Sequence, residues 1–375
     1  MRWGFKELIR NQWRVYIIRA LVLVALIWLL YPFCWPWIAL VALEVLLWAM
    51  TYKTRAHESS IFRLAGDERL FEFVPCIKYR YYYPALNLWG TDREVPVSVG
   101  SDGMRVPENG SRIISEENRL LVLGDSATFG EGVSFYEAYP FIMERALNRQ
   151  LDAEEHFSVL NAAVPGYNTM QSVVALRKRI AQIKPAAVIL GVTLEDTLPW
   201  GRIKIGDDGE MMRLDAPFRH RLRETLKRCS YILYHFSQVY RFLRIDDYTR
   251  STFDDGFGGF RRWRQAIADM ADICSKHGAL AIVVIVPGLW KLESGYPWKD
   301  IHARIRSVCE GEGIYVIDPL SAVEGMKSKT LWIHPVDLHP NAEAHQLIGE
   351  AVARELGPIL EVRVQSGLPR AGCEP

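Results

Sequence analysis

Cysteine is scarce in this chain, and its spacing forms no recognisable pattern. Cys34, Cys76, Cys229, Cys274, Cys309 and Cys373 are scattered, with no C-x-x-C and no His–Cys cluster. That argues against a zinc site and against a dense disulfide framework. A charge excess is also missing: 45 Lys and Arg against 44 Asp and Glu leave a net charge of +1. Nucleic-acid binders show a basic excess, so no nucleic-acid partner is expected. There is no internal repeat and no low-complexity tract. At 49% hydrophobic and 24% charged residues, the composition is globular rather than disordered.

The N-terminus is different. From Val15 to Tyr52 the chain is almost wholly apolar, broken by Arg19, by Glu44 and by "YPFCWPW" at 31–37. No small-residue cleavage site follows, which excludes a signal peptide. One membrane span needs about 20 residues, so the run is too long for one and just sufficient for two. Pro32 and Pro36 punctuate it near the middle. The expected form is a transmembrane helical hairpin within residues 1–55, with arms Val15–Tyr31 and Trp37–Tyr52 of about 25 Å each. Trp13, Trp35, Trp37 and Trp48 are candidate interfacial anchors, and the lipid bilayer is the first expected partner. Arg2, Lys6, Arg10 and Arg14 precede the first arm; Lys53, Arg55, Arg63 and Arg69 follow the second; the turn is uncharged. The positive-inside rule then places both ends and the soluble domain in the cytoplasm. If the arms do not both cross, the domain lies on the other side. Arg19 either pairs with Glu44 across the hairpin or snorkels to the interface.

Residues 56–118 read as a connector, with an aromatic patch "KYRYYYPALNLWG" and the turn-rich "GSDGMRVPENGS". The patch either packs against the main domain or walls a substrate. From 119 to 360 a rhythm appears. Apolar runs at 119–124, 158–164, 186–192, 279–288 and 314–318 alternate with helical periods near 137–149, 169–183, 260–276, 299–312 and 340–356. Such alternation predicts a parallel five-stranded sheet covered on both faces, a three-layer α/β/α sandwich. Ligands of such sheets sit at the carboxyl ends of strands. Residues 197–257 interrupt the rhythm, with "RHRLRETLKR" reading as a charged helix. This insertion either covers the site or is a solvated surface excursion. Residues 361–375 form a tail.

Four blocks fall at strand ends in order: "GDSATFGEGV", "NAAVPGYNT", "VILGVTLED" and "DLHPNAEAH". In order and spacing they resemble the SGNH (GDSL-type) hydrolase superfamily over residues 119–357, and in particular its membrane-anchored members found beside bacterial polysaccharide genes. Ser126 follows a buried strand directly. It is either the N-cap of the next helix or a nucleophile whose Oγ and backbone N–H face one cavity. His339 is the preferred general base over His334 and His345. Asp337, two residues before it in an extended segment, points to the same side and is placed to orient the ring. Pro340 is expected to open the following helix. The usual spacing of the superfamily is Asp-x-x-His, a place held here by Val336.

The resemblance implies that the backbone N–H of Gly166 is a second oxyanion donor, although a turn glycine after Pro165 would look the same; Asn168 beside it can cap the next helix. It also expects an Asn after the third strand, where this chain has Glu195. An ionised carboxylate repels an oxyanion, and loss of one such donor costs about 100 to 1,000-fold in rate. Three outcomes are open: Glu195 held neutral by burial, replacement by Thr193 or a backbone amide, or a degenerate site. The leading expectation is a membrane-tethered esterase or O-acyltransferase, needing no metal or organic cofactor. It would act on small esters, such as O-acetyl groups of polysaccharide or lipid esters, at a bacterial inner membrane, with a periplasmic domain as the alternative placement. The other expectation is a non-catalytic SGNH-fold binding or assembly protein.

Overall fold

The computed structural model describes residues 19, 21, 37–46, 61–83, 93–109, 118–150, 156–198, 203–205, 211–213, 230–334 and 337–365. The chain divides into two units, one of residues 54–221 and 241–375, the other of residues 1–53 and 222–240.

The larger unit begins with what the sequence suggests is a connector, but the residues described there form two small antiparallel sheets. Strands β1 (Phe62–Leu64) and β2 (Phe71–Phe73) pair, as do β3 (Lys78–Tyr83), β4 (Arg93–Val99) and β5 (Arg105–Val106). Alternation of aromatic residues in β2 and β3, and of valines in β4, with polar ones buries one face. Phe73 lies 5.2 Å from Phe129, and Phe71 lies 5.1 Å from Tyr167. This layer therefore packs against the segments that follow the first two strands of the main sheet. Residues 84–92, which complete the aromatic patch, lie outside the described residues.

The main sheet contains β6 (Arg119–Leu123), β7 (Ser158–Asn161), β8 (Ala187–Val192), β11 (Leu280–Ile285) and β12 (Tyr315–Ile317) in the order β12-β11-β8-β6-β7, all parallel. Between β8 and β11, the pair β9 (Ile203–Ile205) and β10 (Met211–Arg213) forms an antiparallel hairpin in the insertion. Leu120, Leu121, Val122, Val188, Ile189 and Leu190 are fully buried, as expected of strands covered on both faces. Helix α1 (Ser126–Phe129) follows β6. Helix α2 (Tyr139–Gln150) packs on the last helix, while α3 (Thr169–Ile183) packs on the helix that precedes β11. These make the two outer layers expected from the sequence. The chain leaves β6 for β7 on one side and then returns past β6 to β8. That reversal opens a crevice at the carboxyl end of β6.

Two glycines let α1 pack closely on the ends of these strands. A Cβ on Gly191 would stand 2.0 Å from Thr128 Oγ1 and 2.7 Å from Tyr139 Oη. A Cβ on Gly124 would stand 2.5 Å from Thr128 Oγ1. Any larger residue at either position would push β8 and α1 apart.

Helices α4 (Tyr231–Leu243) and α5 (Ile245–Thr252) occupy the end of the insertion, followed by α6 (Gly258–Lys276) and α7 (Lys299–Gly311). The charged segment 219–228 lies outside the described residues. Strands β13 (Trp332–His334) and β14 (Asp337–Pro340) then form a short antiparallel pair. Pro340 ends that strand rather than opening the last helix, α8 (Ala342–Gln365), because Asn341 is the residue that starts it. The Asn341 side chain accepts from Ala344 N at 3.0 Å. Helix α8 runs past Leu356 and through Pro358 into the expected tail.

In the smaller unit, residues 37–46 are helical and every one except Glu44 is exposed. Glu44 accepts from Ser230 Oγ at 3.1 Å and from Ile232 N at 3.0 Å. Its carboxylate thus satisfies the open N–H end of α4, and Arg19 is exposed. Most of the two expected spans lies outside the described residues, and among those described no helix is long and apolar enough to cross a membrane.

Candidate active site

Ser126 is the first residue of α1, but it does not cap that helix. Asp125 does, with Oδ1 accepting from Ala127 N at 3.0 Å and from Thr128 N at 3.4 Å. The division of labour matters: the cap uses the aspartate, so the serine hydroxyl is left for other chemistry. Ser126 Oγ lies 2.8 Å from His339 Nε2, and His339 Nδ1 lies 2.5 Å from Asp337 Oδ1. Asp337 Oδ1 also accepts from His339 N at 3.0 Å.

The two-residue spacing works because β14 is extended. Alternate side chains of a strand share a face, so Asp337 and His339 point together toward α1, which β14 contacts. Asn341 ties down the far end of the pair, donating from Nδ2 to Thr330 O at 2.8 Å and to Trp332 O at 3.3 Å. Burial acts to raise the Asp337 pKa, but the hydrogen bond and charge of His339 outweigh it and hold the carboxyl below its ordinary value. Burial likewise opposes charge on His339, yet Glu131, Asp337 and Asp125 together raise its pKa to about 10.

The two competing histidines have other surroundings. His345 is fully buried on α8 and accepts from Tyr139 N through Nδ1 at 3.2 Å. Burial pushes its pKa down to about 3, so it is a neutral packing residue. His334 stands at the end of β13, in register with Asp337 of β14.

Gly166 follows Pro165 with φ +81, a conformation that favours glycine. Asn168 caps α3, its side chain accepting from Gln171 N at 3.0 Å while Gln171 Oε1 accepts from Asn168 N at 3.1 Å. Among the described residues, the N–H groups of Ser126 and Gly166 donate to no backbone carbonyl.

The third block behaves differently from either side-chain substitute considered above. Glu195 is exposed in the turn after β8, so burial does not hold it neutral. The Thr193 hydroxyl is already engaged, lying 2.9 Å from Asp125 Oδ2 and 3.0 Å from Asp196 Oδ1. One hydroxyl carries one proton and can donate to only one of these carboxyls. The second contact requires a proton on a carboxyl. Asp196 is 3% exposed, and burial, then the charge of Asp125, raises its pKa well above the ordinary value. Burial raises Asp125 too, but Thr193, His339 and the two helix N–H groups favour its ionised form. Asp196 therefore holds the proton and donates to Thr193, which donates to Asp125. Thr169 Oγ1 donates to the other Asp196 oxygen at 2.7 Å.

Two further residues escaped the sequence. Arg105, from β5, is buried, and its guanidinium donates to Phe129 O, Gly130 O and Val133 O at 2.5 to 2.8 Å. It fixes the loop after α1. Glu131, within that loop, brings Oε2 to 4.0 Å from His339 Nε2. Its position between two glycines of the first block, Gly130 and Gly132, was the one available signal.

As arranged, His339 can take the Ser126 proton while Asp337 steadies the imidazolium, at the carboxyl end of β6.

Residues 122–347 match the model of the GDSL-like lipase/acylhydrolase family. No curated protein matches the chain significantly. Among solved structures, TesA is similar at 18% identity and a TM-score of 0.41, over 64% of this chain and 99% of that one. The psychrotrophic esterase EstA from Pseudoalteromonas sp. is similar at 13% identity and a TM-score of 0.40, over 65% and 99%. Axe2, an acetyl-xylooligosaccharide esterase from Geobacillus, is similar at 15% identity and a TM-score of 0.38, over 66% and 97%.

Proposed function

The chain belongs to the GDSL-like lipase/acylhydrolase family, and from that premise we propose that it is a membrane-attached serine esterase or O-acyltransferase working through an acyl-serine. The observation that carries this reading is the unbroken chain Ser126 Oγ–His339 Nε2–Asp337, with contacts of 2.8 and 2.5 Å. In acylation the Ser126 proton passes to His339 Nε2 as Oγ bonds to the ester carbonyl. The tetrahedral adduct then collapses, the C–O bond to the alcohol breaks, and His339 returns the proton to the leaving oxygen. In deacylation water, or a second alcohol, gives its proton to His339 and bonds to the acyl carbon; the bond from that carbon to Oγ then breaks, and His339 returns the proton to Ser126 Oγ.

The backbone N–H groups of Ser126 and Gly166 are our candidate oxyanion donors. With Thr193 engaged and Glu195 in the place of the usual Asn, no side chain is assigned as a third. A rate about 100 to 1,000-fold below that of a three-donor site follows. Substrates of this reading are small esters, above all O-acyl groups of polysaccharide or lipid esters.

Membrane attachment is supported by the exposed Trp37, Ile38, Leu40, Val41, Leu43, Val45 and Leu46 on one ten-residue helix. Such a surface in water is unfavourable by about 25 cal/mol per Å² of apolar area. The flanking charges favour a cytoplasmic domain.

A fluorophosphonate probe tests the chemistry. Stoichiometric labelling of the full chain in detergent, lost in Ser126→Ala and in His339→Ala, is expected. A folded wild type that takes up no label sinks the enzyme reading in favour of a binding protein.

A further inference from the structure

His339 faces a carboxylate at each ring nitrogen. Asp337 occupies Nδ1, as an orienting carboxylate does. Glu131 approaches the other side, 4.0 Å from Nε2, the nitrogen that also meets Ser126 Oγ. Its side chain is 17% exposed, and its backbone is held firmly. Glu131 N donates to Ser126 O at 3.0 Å. Gly130 and Gly132 beside it have φ +85 and +79. A Cβ on Gly130 would stand 2.5 Å from both Ala138 Cβ and Arg105 Nη1, and Arg105 grips the carbonyls on either side of the turn. A loop so constrained presents Glu131 to one place.

That place is defined by the chemistry. Both the departing alcohol and the incoming water or alcohol must exchange a proton with Nε2, so their oxygen comes within hydrogen-bond distance of it. A carboxylate 4.0 Å from Nε2 therefore stands beside the place where the alcohol oxygen must come. Hydroxyl groups neighbouring the ester are able to donate to it, whereas an anionic alcohol meets like charge in a partly desolvated crevice.

We propose that Glu131 is the specificity-determining residue on the alcohol side of this site, selecting esters of neutral, hydroxyl-bearing alcohols over esters of anionic ones. The inference rests on the serine-esterase reading and narrows its substrate class to neutral glycosyl or polyol esters.

Glu131 has a second effect that a purely structural residue lacks. Together with Asp337 and Asp125 it stabilises the protonated ring of His339, with His345 and His334 as the other titratable groups nearby. A raised His339 pKa means that the base form is scarce at neutral pH. Turnover therefore rises as pH climbs into the alkaline range, and removing the Glu131 charge moves that rise to lower pH.

The test compares phenyl acetate with 3-carboxyphenyl acetate, esters of one acyl group whose alcohols differ in charge, using the full chain in detergent micelles. The wild type is expected to favour the neutral ester in kcat/KM by about tenfold or more. Glu131→Gln should bring the two within about threefold and move the alkaline rise downward, while Glu131→Asp keeps part of the preference. A wild type that turns over both esters equally overturns the proposal by itself, as does a Gln variant that still takes fluorophosphonate but leaves the preference unchanged. Failure of the esterase reading is distinct: the wild type then takes no fluorophosphonate and hydrolyses neither ester.

Discussion

Thr193 is a residue whose function depends on counting protons. Its hydroxyl bridges the carboxyls of buried Asp196 and half-buried Asp125, and the count leaves one proton on Asp196. Asn at position 196 reproduces that state, with an N–H donor toward Thr193 and an oxygen toward Thr169. Asp196→Asn is thus expected to fold and label as wild type does. The sign of its pH dependence follows from linkage. A carboxyl whose folded pKa lies above its unfolded value contributes stability below the unfolded pKa, near 4, and that contribution is lost as pH rises toward the folded pKa. Wild type should lose stability relative to Asp196→Asn between pH 4 and 7 in thermal unfolding. A melting-point difference that stays constant with pH would show that Asp196 is ionised. None of this was legible in "VTLED", where the eye goes to Glu195. Sequence marks which residue departs from a pattern, but not which of its neighbours is buried.

At the scale of elements, legibility followed hydrophobic continuity. The five strands and their helices stood out because a sheet covered on both faces needs unbroken apolar runs. Strands β1 to β5 did not, being short, half-polar and aromatic, and residues 56–118 looked like a connector for that reason. The β13–β14 pair was hidden in the same way, yet it sets the His339 geometry. Asp337 stands two residues before the histidine instead of three because a pleat, not a turn, brings the two side chains together. Asn341 anchors this pair to α8 with three hydrogen bonds. Asn341→Ala is expected to cost about 1 kcal/mol as a lost helix cap. Loosening of the β14 end should lower kcat by about tenfold to a hundredfold through misplacement of His339. Urea unfolding and ester kinetics on one preparation would separate the two; a kcat loss no larger than the stability loss explains would mean that β14 holds its place without Asn341.

For the whole molecule, the apolar N-terminal run and the exposed helix at 37–46 belong to one expectation. The full chain should float with phosphatidylglycerol-containing vesicles and remain with them in 1 M salt, since apolar contact is not screened as charge is. Release by salt alone would point to charged residues as the only attachment. Reporter fusions after residue 60 fix the side of the membrane; activity only in an exported reporter would reverse the cytoplasmic placement. Glu44 has a part in either outcome. An acid within an apolar segment is costly in lipid, and the bonds from Ser230 and Ile232 give Glu44 polar partners.

The proton on Asp196 also alters how the native protein moves in an electric field. The formal charge of +1 takes every carboxyl as ionised and every histidine as neutral. One protonated aspartate makes the folded molecule one charge more positive, and a protonated His339 adds another. Asp196→Asn, which raises the formal charge by one on paper, replaces one neutral group with another. In native electrophoresis at pH 7 it should comigrate with wild type. Only after unfolding, when wild-type Asp196 gives up its proton, should the two bands part.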